Sequence, residues 1–244
     1  MTKTYQKKLN VISNNFKYDK ILNFEDRKYT VAILNGKSGL IDINGSPLTE
    51  FIYDDLSEEF EEDFGYEFGW VNFRNKYDKY CRMRLNDNWG LLDKNGNIVV
   101  DFKYSNPVQE WGENFIIELD KDEFSVNSFV MDKNNNIRLD LMFDCIYPRI
   151  GYAIVQKDYK YGILYEDLQL IIDCKYDYLQ GGDDYKYLEA TLYDKCGVID
   201  LDENIILDFI YDKVTVEKSN NKYVFKAELN NKSALFNENG ERIA

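Results

Sequence analysis

Histidine is absent from all 244 residues, and proline occurs only three times. The first absence removes Ser-His-Asp and Cys-His catalysis, histidine-ligated metal centres and histidine pH switches. Cysteine is sparse. Cys81, Cys145, Cys174 and Cys196 lie far apart with no Cys-x-x-Cys pair. Reduced, mostly buried thiols are therefore expected, in keeping with a cytoplasmic protein. No apolar run approaches the length of a membrane span, and Lys3, Lys7 and Lys8 lead into no apolar signal core. Positive charge is also short: 30 Lys+Arg face 44 Asp+Glu, for a net charge of −14. That balance disfavours nucleic acid and anionic membrane surfaces, which need clustered basic side chains. It favours solubility, or attraction to a basic partner.

What the chain has in quantity is aromatic residues: 20 Tyr, 15 Phe and 3 Trp within an apolar fraction of 44%. This is enough for a packed core at a length that suits one large domain or a repeat array.

Internal repetition is the strongest signal. One string recurs: an aromatic or small residue, Gly, two apolar residues, an Asp-type position, a turn, an apolar strand and an acidic-aromatic pair. It runs from Ser38-Gly39-Leu40-Ile41-Asp42 to Phe51-Ile52-Tyr53-Asp54, and from Trp89-Gly90-Leu91-Leu92-Asp93 to Phe102-Lys103-Tyr104-Ser105. A degenerate copy runs from Ser128-Phe129-Val130-Met131-Asp132 to Leu141-Met142-Phe143-Asp144. Two more run from Tyr161-Gly162 to Tyr176-Asp177 and from Cys196-Gly197 to Tyr211-Asp212. In all five the second aromatic falls 14 residues after the Gly position. Half copies remain at the ends: Ser233-Ala234-Leu235-Phe236 near the C-terminus and Phe16-Lys17-Tyr18-Asp19 near the N-terminus. Together they complete a sixth repeat.

Each repeat reads as strand, turn, strand, turn, strand. β-Branched and aromatic residues fill Tyr29–Leu34, Tyr187–Leu192 and Tyr223–Leu229. Asn35-Gly36, Asn86-Asp87, Tyr193-Asp194 and Asn230-Asn231 suit two-residue hairpin turns. No stretch shows a capped 3.6-residue period. The expected fold is all-β: a six-copy antiparallel hairpin or meander array forming a single domain over residues 1–244. Its repeat cores are 38–54, 89–105, 128–144, 161–177, 196–212, and 233–244 with 11–19. Either the array closes like a propeller, with the sixth repeat split between the termini, or it is an open β-solenoid.

The pattern resembles the bacterial WG repeat family, although Trp89-Gly90 is the only literal Trp-Gly in this chain. The resemblance implies β-structured repeats of an interaction type and supplies no catalytic residue. The physics of the string agrees with it. Gly leaves room for close approach, the Tyr buries its ring, and the Asp can cap the turn that follows through its side chain.

Charge is uneven along the array. Between Lys37 and Arg74 there is no basic residue, and ten acids lie there, leaving the rest of the chain at only −4. The spacing from Tyr53 to Gly90 is 37 residues, against 21 from Tyr176 to Gly197, which marks an insertion over about 57–72. Glu58, Glu59, Phe60, Glu61, Glu62, Asp63, Phe64, Tyr66 and Trp70 interleave acids with aromatics there. Insertions in repeat arrays form loops that often bind, so these nine residues are the candidate partner-binding site; the competing reading is a solvated acidic loop.

Other constellations carry less. The turns Asp42-Ile43-Asn44-Gly45 and Asp93-Lys94-Asn95-Gly96 lack the ligand set of a calcium loop. Gly181-Gly182-Asp183-Asp184 beside Tyr185 and Tyr187 reads as a turn with flanking strand aromatics more readily than as a stacking patch. Glycosidases use a carboxylate pair, but 44 acids without a positional handle single out none. The sequence therefore points to a non-enzymatic protein-interaction module without metal or cofactor, whose partner is a basic protein. The alternatives are an immunity-type inhibitor of a basic toxin, and a carbohydrate-binding or carbohydrate-active protein.

Overall fold

The computed structural model describes residues 17–22, 28–54, 79–122, 125–132, 134–181, 186–219 and 222–244. Among them are 21 strands in six antiparallel sheets, and no helix. The first sheet holds β1 (Lys20–Ile21), β2 (Tyr29–Leu34) and β3 (Lys37–Asp42). The second holds β4 (Cys81–Leu85), β5 (Asn88–Leu92) and β6 (Ile98–Tyr104). In the third, β7 (Gln109–Trp111), β8 (Asn114–Asp122), β9 (Ser125–Met131) and β10 (Ile137–Phe143) pair in chain order. The fourth repeats this with β11 (Cys145–Pro148), β12 (Tyr152–Lys157), β13 (Lys160–Tyr165) and β14 (Leu170–Tyr176). The fifth has β15 (Tyr178–Gln180), β16 (Tyr187–Leu192), β17 (Lys195–Asp200) and β18 (Ile205–Tyr211). The last has β19 (Lys213–Ser219), β20 (Lys222–Leu229) and β21 (Lys232–Phe236).

The chain divides into two compact units, Met1–Glu110 with Ile117–Asp120, and Trp111–Ile116 with Lys121–Ala244. In the first, Val31 and Leu40 pack with Met83, Trp89 and Leu92 around Tyr53. In the second, Ile154, Ile163 and Ile172 meet Leu188, Ala190 and Ile199, while Val198 and Leu207 meet Val214, Val216 and Phe225. Central strands are thus covered on both faces, which is why β2 and β12 read as near-continuous apolar runs and not as alternating ones. The third strands β6 and β14 are half exposed and do alternate.

The recurring glycine has a steric cause. Strand β13 pairs with β14 at Tyr161↔Tyr176, Ile163↔Ile172 and Leu164↔Leu170, with a register shift on each side of Ile163. The same shifts recur at Trp89↔Tyr104, Leu91↔Val100 and Leu92↔Ile98, and at Cys196↔Tyr211, Val198↔Leu207 and Ile199↔Ile205. These bulges press one backbone onto the next. A Cβ on Gly162 would stand 2.4 Å from the carbonyl oxygen of Ile172, and one on Gly197 would stand 2.6 Å from that of Leu207. In the degenerate copy Phe129 takes the glycine position. There the register slips once, between Arg138 and Met142, and Met142 is set opposite Phe129.

The repeat contains one strand more than its sequence suggests. The residues directly after the acidic-aromatic pair form β11, β15 and β19, each the first strand of the next sheet. β11 and β15 are only four and three residues long, so periodicity does not reveal them, whereas β19 alternates at Val214 and Val216.

Candidate functional site

The first turn of each described hairpin uses two residues with positive φ: Asn35 and Gly36, Asn86 and Asp87, Asp158 and Tyr159, Tyr193 and Asp194, Asn230 and Asn231. This is the geometry that matches strand twist in two-residue hairpins. Each turn is tied down by an aspartate from the preceding repeat. The Asp19 carboxylate accepts the Asn35 N–H at 2.5 Å, Asp54 accepts that of Asp87 at 3.0 Å, and Asp144 that of Asp158 at 2.7 Å. Asp177 accepts the Tyr193 N–H at 2.7 Å and Asp212 that of Asn230 at 2.8 Å. The main-chain N–H of each aspartate donates to the same hairpin, as from Asp177 to the Thr191 carbonyl and from Asp212 to that of Glu228. The other carboxylate oxygen holds a lysine of its own repeat: Lys37 on Asp54, Lys160 on Asp177, Lys195 on Asp212. The Lys160 ammonium and the Tyr193 N–H hold the Asp177 carboxyl below its ordinary range, and the Lys195 ammonium and the Asn230 N–H do so at Asp212. Burial opposes ionisation at Asp54, but the Asp87 N–H, Lys37 and Arg84 outweigh it.

The tyrosine before the aspartate reaches the other end of the next repeat. The Tyr18 hydroxyl donates to the Gly45 carbonyl at 2.7 Å, and that of Tyr176 to Glu203 Oε1 at 2.9 Å. Their rings pack on Phe51 and Phe209 at centroid distances of 5.3 and 5.8 Å. The Tyr-Asp pair therefore grips both turns of its neighbour. The second turns also close on themselves. One oxygen of Asp42 accepts the N–H groups of Asn44 and Ser46, and Asp93, Asp132 and Asp200 accept from the equivalent positions. These carboxylates serve as turn caps.

Two tips stand out chemically. Tyr159 is 88% exposed and Tyr193 84% exposed, on neighbouring hairpins of the second unit. A bulky side chain at positive φ is disfavoured relative to Asn or Gly by on the order of 1 kcal/mol. Each tyrosine adjoins an exposed aspartate, Asp158 or Asp194. The tips are linked, because Lys160 directly follows Tyr159 and binds the Asp177 that accepts the Tyr193 N–H. The sequence does place Tyr193-Asp194 in a turn, but nothing in it marks these tyrosines as exposed; the one available signal is an aromatic residue in a slot that favours Asn or Gly.

The nine residues singled out between Glu58 and Trp70 lie outside the described residues. The described residues on either side, Asp54 before it and Lys79 and Tyr80 after it, are both anchored. Asp54 is held by Lys37, Arg84 and the Asp87 N–H, and the N–H groups of Lys79 and Tyr80 donate to the Glu110 carboxylate. Tyr187 is a core residue, packed edge-on against Tyr223 and Phe225, so it forms no stacking patch; Tyr185 lies outside the described residues. No disulfide joins the four cysteines, and only Cys81 is buried. The other three are half-buried because they sit at strand positions near solvent, and burial pushes the Cys174 thiol up to about 11. Glu118 Oε2 is shielded from solvent without a hydrogen bond, and burial together with nearby Asp120 pushes that carboxyl up to about 7. Among the described residues no group of three or more His, Cys, Asp or Glu side chains is arranged to hold a metal ion.

The WG containing repeat matches residues 39–77, 89–117, 129–161 and 197–232, more than half of the chain. The chain belongs to the WG containing repeat family. The matched stretches hold Gly39, Gly90, Phe129 and Gly197 and, of the first turns, Asp158-Tyr159 and Asn230-Asn231. No curated protein matches this WG repeat chain in sequence. Among solved structures it is similar to a eukaryotic initiation factor, with a TM-score of 0.46 and 8% identity over 93% of this chain and 66% of the other. It is also similar to PorZ, a surface component of the type-IX secretion system of Porphyromonas gingivalis, with a TM-score of 0.36 and 7% identity over 90% of this chain and 33% of that one. A third is the AfRom2 CNH domain, with a TM-score of 0.34 and 8% identity over 93% and 83% of the two chains. The WG repeat chain thus spans just under two thirds of the initiation factor and a third of PorZ.

Proposed function

We propose that this WG repeat chain is a non-catalytic protein-interaction module whose partner is a basic protein, held through the acidic-aromatic stretch 57–72. The observation that carries the reading is the anchoring of the described residues on either side of that stretch. Asp54 on one side and Lys79 and Tyr80 on the other are fixed to strands of the same unit. A run that holds six acids and no basic residue, between two fixed points of the frame, suits presentation to a partner. The aspartates at the two turns of the repeats, such as Asp177, Asp212 and Asp200, are engaged in joining and capping those turns. Surplus negative charge speeds encounter with a basic surface. Masking of a basic toxin is the more specific form of this reading, favoured by the same charge.

The test is affinity capture from the native source with the immobilised full chain, beside a variant in which Glu58, Glu59, Glu61 and Glu62 become Gln and Asp63 becomes Asn. The expected result is a basic protein retained by the wild type and lost from the variant, with an on-rate that falls steeply with salt. Circular dichroism checks that the variant is folded. Equal retention by both chains overturns the assignment of the stretch, and no retained protein at low or moderate salt overturns the interaction reading.

A further inference from the structure

We infer that the tips of the β12–β13 and β16–β17 hairpins form a second recognition surface, which takes arginine side chains from an extended segment of a partner protein. The inference rests on the interaction-module reading above but uses different residues, in the other compact unit. Three observations converge on it. First, Tyr159 and Tyr193 are almost wholly exposed at positions where the backbone favours Asn or Gly, which do serve at Asn35-Gly36 and Asn230-Asn231. Local stability does not select tyrosine there. Second, each ring has an exposed carboxylate as its chain neighbour, Asp158 before Tyr159 and Asp194 after Tyr193. An aromatic face with an adjacent carboxylate is the chemistry that holds a guanidinium, which stacks in its plane and pairs at its edge. Third, the lysine that follows each tip is already engaged, although Lys157 stands exposed before Asp158. Lys160 is bound to Asp177 and Lys195 to Asp212, so these two cations are tied back into the frame. The clasp through Asp177 couples the two tips, so they act as a repeated pair for residues spaced along one segment. Arginine suits this better than lysine, because a planar cation gains from stacking where a compact ammonium does not. The net charge of −14 adds general attraction for such a segment.

The test uses the full chain and a synthetic eight-residue peptide of alternating arginine and glycine, followed by amide NMR shifts and calorimetry at 0.15 M salt. The expected result is that the amides of Tyr159 and Tyr193 shift on titration. The double variant Tyr159→Asn, Tyr193→Asn then binds at least tenfold more weakly. Asparagine suits positive φ, so this variant folds and its Tm rises by a few degrees; charge is unchanged, so weaker binding reports stacking and not general attraction. Asp158→Asn with Asp194→Asn gives a similar loss. Equal binding by the wild type and the tyrosine variant overturns the inference, as does a wild-type chain that does not bind the peptide. Either failure leaves the proposal for stretch 57–72 standing, because its variant keeps both tips.

Discussion

The two turns of each repeat are both closed by an acidic or amide side chain, but by opposite strategies. The second turn uses its own residue: Asp200 caps the backbone two and four positions further on. The first turn borrows Asp177 or Asp212 from the repeat before it. One is autonomous, while the other makes the stability of a hairpin depend on its neighbour. In repeat arrays such nearest-neighbour terms decide whether the units melt together or singly.

Perturbations of the second unit sharpen this contrast, and the largest acts on the spacing that both turns presuppose. Gly162→Ala places a methyl group against the Ile172 carbonyl and is expected to cost about 3 kcal/mol in urea unfolding. A cost no greater than that of an ordinary surface substitution would show that the bulge yields. Next is Asp177→Ala, which leaves the Tyr193 N–H and Lys160 without their acceptor and is expected to cost about 1.5 kcal/mol. It should also broaden the transition and lower its denaturant slope, because it uncouples adjacent sheets. The depressed carboxyl sets the sign with pH: the stabilisation is present above the unfolded value of about 3.9 and is lost as pH falls through the lower folded one. The wild type and the variant should therefore converge as pH falls through that lower value. Asp200→Ala is the control, expected to cost on the order of 1 kcal/mol with no broadening. Equal broadening in the two variants would erase the distinction between borrowed and autonomous turns.

The smallest effect lies in the first unit, on a carboxyl that neither strategy satisfies. Glu118 is raised to about 7 by burial and by Asp120. Its contribution is favourable below the unfolded value and is lost as pH rises through the folded one. Glu118→Gln should therefore stabilise the chain by about 1 kcal/mol at about pH 8, after allowance for solvent screening, and change little near pH 4. Thermal melts at the two pH values check this.

Much of the frame was legible because the repeated constraint is steric and local. A glycine pressed against a carbonyl and an aromatic 14 residues later leave a fixed offset in the sequence, and Asp-x-Asn-Gly announces a turn. The capping of the next turn by the aspartate also follows from side-chain chemistry. The extra strand was not legible, because Tyr178–Gln180 is three residues long and owes its pairing to Thr191, Ala190 and Glu189 on β16. Nor were the exposed tyrosines, because exposure depends on where a hairpin sits, and the turn at Asp158-Tyr159 lacks the usual Asn or Gly. Phe129 shows the opposite case. The repeat survives loss of its glycine with one larger register shift in place of two.

The borrowed aspartate has a consequence for how such a chain grows. Every complete clasp ends one copy with an acceptor and begins the next with the matching donor. A duplicated stretch inserted after Asp177 would meet the Tyr193 turn with another aspartate, and would itself receive the one left behind. No orphaned group arises at either junction. Length is therefore a heritable variable that single duplications can alter without redesign of the joints, while the residues at the tips remain free to diverge from copy to copy.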